Sequence, residues 1–315
     1  MMKGLALARA YFEAHGRPML DRDFPGWEKR MAVGLVGAGS ECLGYDDDVS
    51  TDHDFEPGFC LFLPDEDKVD RKTAFALERA YARLPREFEG LSRSLVSPVG
   101  GARRGVIRTS DFYRDKVGAP DGRLSPAAWL RLPDHALLEA TDGEVFSDGE
   151  GTFSSIRETL SRYPEDVRLK KLAGHLWLMA QSGQYNYTRC LAHGETGAAQ
   201  LAMGEFVRAT MQVFFLLCGR YMPFYKWAFR ALRELPAPLS GYAELLETLL
   251  TTDNDETMRA VKADTVEDLA SAVIAELQNG GLTDAVCGDL EKHAYSVNDR
   301  VRDPEVRNLH LLAGV

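Results

Sequence analysis

A chain of 315 residues, 45% of them hydrophobic, is long enough to fill more than one core, and its net charge of −11, shared by both halves, leaves no basic arm or stripe for nucleic acid or an anionic membrane. The five cysteines (Cys42, Cys60, Cys190, Cys218, Cys287) are scattered and include no CxxC pair, which argues against a disulfide framework or a structural zinc site and for reduced, buried thiols. Met1–His15 is interrupted by Arg9 and Glu13 and is no signal-peptide core, and no uncharged run reaches membrane-spanning length, so a cytoplasmic protein is expected.

In chain order, Leu5, Ala8, Tyr11 and Phe12 share one helical face and predict a helix over 3–15, followed by a loop containing Pro18, Pro25 and Gly26. Met31–Val36 reads as a short buried strand and Gly37-Ala38-Gly39-Ser40 as a tight turn. A second strand is predicted over Asp52–Leu63, stopped by Pro64. Asp65–Arg86 reads as an amphipathic helix with Phe75, Leu77, Ala80 and Leu84 facing the core. Gly105–Ser110 is a third strand, Pro126–Glu139 a helix and Glu144–Phe146 a short strand after the Asp142-Gly143 turn.

After Thr152 the pattern becomes helical: Ser155–Arg162, Pro164–Gln181, Tyr185–Arg220, Phe224–Leu235, Gly241–Thr251 and Glu256–Asn279, with Gly280-Gly281 as a stop. Met211–Cys218 is apolar nearly all round and predicts the central helix of a bundle, with Met203, Met211 and Met222 as filler. The expected class is α+β: an N-terminal domain of strands and helices over 1–150, then an all-helical domain over 151–315.

Chemistry concentrates in Gly39-Ser40-Glu41-Cys42-Leu43-Gly44 and Thr51-Asp52-His53-Asp54. On a strand, residues two apart point the same way, so Asp52 and Asp54 would present two carboxylates together. Two hard oxygen ligands suit Mg²⁺ or Mn²⁺, which would share them with water and substrate phosphates. Gly39 permits close backbone approach, and the Ser40 hydroxyl with nearby N–H groups can hold phosphate. Asp46, Asp47 and Asp48 read as a solvated turn.

Those residues resemble the signature of the DNA polymerase β-like nucleotidyltransferase superfamily: Gly39, Ser40 and Gly44, then Thr51, Asp52 and Asp54, with a spacer about one residue longer than the commonest pattern. GSECLGYDDDVSTDHDFEPGF looks more closely like the DUF4037 family of nucleotidyltransferase-like proteins. Trp129-Leu130, Gly143–Asp148, Tyr163–Val167 and Pro223–Trp227 extend the resemblance over most of the chain. It implies an NTP substrate, with ATP as the expected nucleotide, and an acceptor that the residues do not name. It also implies a third carboxylate on a later strand. Gly105–Ser110 carries none; Asp111 and Asp148 are the nearest candidates.

Arg108 on the third strand could grip phosphate bidentately, or serve only in a salt bridge. Lys226, in the aromatic helix start Phe224–Trp227, could reach a triphosphate, or snorkel past aromatic neighbours. Tyr185 and Arg189 share a helix face and could line an acceptor pocket or pack between domains. His175 and His193 have no metal-ligand partner at helical spacing. Nucleotidyl transfer competes with a non-catalytic nucleotide-binding or regulatory module, with a metal phosphohydrolase built on His53-Asp54, and with a toxin–antitoxin role.

Overall fold

The computed structural model describes residues 2–49, 55–93 and 104–315. Thr51, Asp52 and Asp54 therefore lie outside the described residues. The fold is α+β. It divides into two compact units, one of Met1–Arg123 with Ala136–Ser161, the other of Leu124–His135 with Arg162–Val315. A single cut near residue 150 differs from this division at Leu124–His135, which belongs to the second unit, and at 151–161, which belong to the first.

The first unit contains, among the described residues, a four-stranded mixed sheet built from β1 (Ala32–Leu35), β2 (Cys60–Leu63), β5 (Gly105–Arg108) and β6 (Glu144–Asp148). A small hairpin of β3 (Glu87–Phe88) and β4 (Leu91–Ser92) stands apart. The order is β5-β2-β1-β6: β1 is antiparallel to both neighbours, and β2 runs parallel to β5. Every residue of β1 and β2 is buried, which is why these strands read as continuous apolar runs without alternation. A register shift between Val33 and Gly34 brings β6 so close that a Cβ on Gly34 would lie 2.4 Å from the Glu144 carbonyl oxygen.

One face of the sheet packs Tyr11, Phe12, Phe59 and Tyr81; the Tyr81 hydroxyl donates to the Phe59 carbonyl at 2.8 Å and accepts from its N–H at 3.1 Å. On the other, Phe62 stacks on Phe153 with centroids 4.2 Å apart, beside Phe112 and Tyr113.

Several boundaries differ from the sequence reading. The first helix, Gly4–Tyr11, does not end in a loop at Pro18. A π-helical turn, Phe12–Gly16, intervenes, and Pro18 then occupies the first turn of Arg17–Asp23, where its missing N–H costs little. The described part of the predicted Asp52–Leu63 strand is strand only from Cys60, since Pro57 cannot donate to a ladder. The third helix is Arg71–Ala82, started by Asp70, whose side chain accepts from Thr73 N–H at 2.7 Å. Phe75 on it faces outward, 59% exposed, against the expectation of a core residue. Thr109 begins the helix Thr109–Val117 instead of ending β5, and Pro133 splits the predicted Pro126–Glu139 helix into Pro126–Arg131 and Asp134–Thr141.

In the second unit, Glu165–Met179 packs on Thr196–Leu217 and on Leu290–Asn298. The predicted Tyr185–Arg220 helix is broken by His193-Gly194, with a π-helical stretch, Ala180–Tyr187, before it. Residues 211–216 are buried throughout, as expected of a central helix, and Met203 and Met211 lie in the core. Two buried lysines hold the C-terminal segment. Lys170 Nζ donates to Asn298 Oδ1, Arg307 O and Leu309 O at 2.8, 3.0 and 2.8 Å, and Lys171 Nζ to Gly314 O at 2.9 Å. Each charge is buried but supplied with acceptors, the condition under which burial is tolerated. Among the described residues no helix is long and apolar enough to cross a membrane.

Candidate functional site

The predicted Gly-Ser turn leaves the end of β1. Gly39 has φ +133°, a conformation that glycine adopts and other residues resist. The Ser40 carbonyl accepts from Tyr45 N–H at 2.8 Å, the Glu41 carbonyl from Gly44 N–H at 3.1 Å, and the Cys42 carbonyl from Gly143 N–H at 3.1 Å. Ser40 itself is half-buried. The space over Gly39 is filled from within the chain: Glu41 Oε2 lies 2.4 Å from where a Cβ would stand. In this fold the glycine admits a carboxylate of its own turn.

Glu41 is buried and paired with Arg104, whose Nη2 lies 3.3 Å from Glu41 Oε1; Arg104 Nη1 lies 3.8 Å from Glu56 Oε1. One guanidinium therefore joins the turn to the segment leading into β2, directly ahead of β5. Asp46 also departs from the sequence reading. It is 1% exposed, not solvated, and its Oδ2 accepts from Gly4 N–H at 2.8 Å at the start of the first helix, where a negative charge is favoured. Lys3 Nζ stands 3.6 Å from its other oxygen.

The register decides which other predicted residues join this turn. Gly34 and Gly105 both stand opposite Cys60, so the end of β1 adjoins the beginnings of β2 and β5. Arg108 pairs with Leu63, three residues further along, about 10 Å away at a strand's rise per residue. The structure does not bring Arg108 to Ser40; its guanidinium donates instead to the carbonyls of Pro64 and Val69 at 2.6 and 2.9 Å. Asp148 stands opposite Ala32, again at the far end, and accepts from Gly151 and Ser154 N–H at 3.1 and 2.7 Å. Asp111 follows Arg108 into its helix and pairs with Arg114. Neither candidate third carboxylate reaches the turn. A cleft of about 200 Å³ lined by Arg30, Phe62, Asp65, Ser110, Asp148 and Phe153 also opens at the far end.

Beside the turn, Asp142 Oδ2 and Arg157 Nη1 are buried without a hydrogen-bond partner among the described residues, although Arg157 Nη2 donates to Gly143 O at 2.7 Å. Burial raises the Asp142 carboxyl to about 6 against the weaker pull of the Gly143 N–H and Arg157. Burial likewise raises the Cys42 thiol well above its ordinary range, so it is no poised nucleophile.

In the second unit, Lys226 is exposed, with Nζ 5.1 Å from the Trp227 ring centroid. Tyr185 and Arg189 do share a face, the guanidinium 4.8 Å from the ring centroid, and both are exposed. A polar cluster here surrounds Asp134, which is buried. Its Oδ1 accepts from the Tyr163 hydroxyl at 2.7 Å and stands 3.8 Å from Lys171 Nζ; its Oδ2 accepts from Met222 N–H at 3.2 Å. Trp129 and Tyr221 both pack edge-on against Tyr163. Residues 129–228 match the family model described as a domain of unknown function, DUF4037. This stretch is a DUF4037 domain. No curated protein and no solved structure matches the chain. The matched stretch of the DUF4037 domain includes the Trp129, Gly143, Tyr163 and Pro223 segments but not the Gly39–Asp54 segment. Its Trp129, Tyr163 and Met222 neighbourhoods, distant in sequence, converge on Asp134.

Sequence reasoning missed Glu41, Arg104 and Asp134. The available signals were the Arg103-Arg104 pair just ahead of a strand and an acid inside the turn motif itself. Neither discloses its partner without the register.

Proposed function

We propose that the protein is a nucleotidyltransferase that moves a nucleoside monophosphate from an NTP, with ATP as the expected nucleotide, to a hydroxyl or amine of a small molecule or protein. One observation carries this reading. The glycine-serine turn leaves β1 at the end of the sheet where antiparallel β2 begins, and Asp52 and Asp54 fall in the connection between them. This chain order, a glycine-serine turn followed by an Asp-x-Asp pair, supports a reading in which the turn would hold phosphate and the two carboxylates a metal.

Among the described residues no group of three or more His, Cys, Asp or Glu side chains could hold a metal ion, and Glu41 and Glu56 are committed to Arg104. The Mg²⁺ or Mn²⁺ reading therefore rests on Asp52 and Asp54. A divalent ion held there would offset charge developing on the transferred phosphoryl group. The first unit's own share would be Ser40 and the turn N–H groups on phosphate.

The position of Asp111 and Asp148 at the far end of the sheet favours a second reading, a nucleotide-binding or regulatory module without turnover. Incubation with labelled NTPs and Mg²⁺ or Mn²⁺, alone and with metabolite pools, separates the two. Label transfer abolished by Asp52→Ala and by Asp54→Ala supports transfer. Tight NTP binding without pyrophosphate release in any mixture supports the module, and absence of NTP binding defeats both.

A further inference from the structure

We infer that Arg104 is the positioning residue of this site: its guanidinium fixes the Gly39-Ser40 turn against the entry to β2, so nucleotide affinity depends on its two-pronged shape and not on its charge alone. The inference rests on the nucleotidyl-transfer reading and gives that site a determinant absent from the motif.

The geometry is specific. Arg104 uses different nitrogens for two carboxylates on two chain segments, Nη2 toward Glu41 in the turn and Nη1 toward Glu56 ahead of β2. Both the guanidinium and Glu41 have side chains 8% exposed, so the pair is shielded from the water that weakens surface ion pairs. Three glycines make room for it. A Cβ on Gly4 would lie 2.5 Å from Glu41 Cβ, one on Gly39 2.4 Å from Glu41 Oε2, and one on Gly58 2.4 Å from Arg104 Cδ. Three segments thus forgo a side chain where they meet one ion pair, and two of them, at Gly39 and Gly58, flank the connection that carries Asp52 and Asp54.

The chemistry of the side chain explains the choice. A guanidinium is planar and forked, and it can hold two acceptors at fixed separation; a lysine ammonium is a single point on a flexible stem. Replacing one by the other keeps the charge but loses the fixed spacing. The turn would then be free to shift relative to β2, and a misplacement near 1 Å in such a site costs about 100-fold in rate.

Fluorescent ATP with Mg²⁺, titrated into the full chain well below its unfolding temperature, tests this. The expected result is at least about tenfold weaker binding in Arg104→Lys, with circular dichroism unchanged. Glu56→Gln, which removes the charge of one prong's partner and leaves the buried pair, should weaken binding by a smaller factor. A purely structural role would lower the unfolding temperature and leave the affinity of the folded protein unmoved. Wild-type affinity in Arg104→Lys overturns the inference while leaving the nucleotide reading intact. Should Arg104→Lys fail to fold, Glu41→Gln and Glu56→Gln decide, and wild-type affinity in both overturns it. Absence of ATP binding by the unsubstituted protein defeats the underlying reading instead.

Discussion

The Tyr163 hydroxyl donates to Asp134 Oδ1 across 2.7 Å, inside the DUF4037 domain. Burial first, and then the Asp134 charge, push the Tyr163 phenol above its ordinary range, which keeps it a hydrogen-bond donor to that carboxylate. Tyr163→Phe should destabilise the protein by about 1.5–3 kcal/mol in urea unfolding, the usual cost of a hydrogen bond to a charged group. Asp134→Ala should cost more, because it also strips an acceptor from Met222 N–H and a counter-charge from Lys171. Equal costs for the two would show that Asp134 matters only to Tyr163.

Gly39→Ala should destabilise by about 2 kcal/mol, combining a strained backbone at φ +133° with displacement of the Glu41 carboxylate. Only the second part disappears once Glu41 is shortened. The double variant Gly39→Ala with Glu41→Ala should therefore cost less than the two single costs added, by about 1 kcal/mol in a double-mutant cycle. Strict additivity would show that the carboxylate over Gly39 is incidental.

Lys170→Met should cost about 3 kcal/mol, because it leaves three acceptors, Asn298 Oδ1, Arg307 O and Leu309 O, without their buried donor. Amide exchange should accelerate over 298–315 more than over 243–251. Uniform acceleration would contradict a local anchoring role.

Two buried groups respond to acid in opposite directions, one in each unit. His175 is held to about 3, chiefly by burial and further by Lys171 and Arg208. Below its ordinary value of 6.5 the unfolded chain takes up a proton that the native state refuses, so stability falls as pH drops from about 6.5 toward 3. Asp142, raised to about 6 from 3.8, holds its proton in the native state where the unfolded chain has lost it. Its contribution is present below about 4 and is lost as pH rises through 6, on the order of 2 kcal/mol after allowance for partial exposure. Acidification from pH 6.5 to 4 should thus speed amide exchange around 165–179 relative to 144–160. His175→Gln should flatten the first response and Asp142→Asn the second. Parallel responses in both units would refute the assignment.

Much of the sheet was legible in sequence because β1 and β2 are buried on both sides and need unbroken apolar runs. The central helix over 211–216 was legible for the same reason. Phe75 misled because helical spacing does not say which side of an amphipathic helix meets the core. Pro18 misled because a π-turn can seat a proline within a helical run. At the site, Gly39 and Ser40 were recognisable by local turn chemistry. Arg108 was singled out because it lies on the third strand, while Arg104 just ahead of that strand passed unremarked; only the parallel register with β2 tells which end adjoins the turn. Asp46 looked solvated among three consecutive acids, but a helix N-terminus 42 residues away claims it.

The interleaving of the two units along the chain has a genetic consequence. The polypeptide passes from one to the other after Arg123, after His135 and after Ser161. A single crossover that delivers either unit whole also brings a piece of the other, Leu124–His135 with the first or Ala136–Ser161 with the second, and the DUF4037 domain, at 129–228, takes in parts of both.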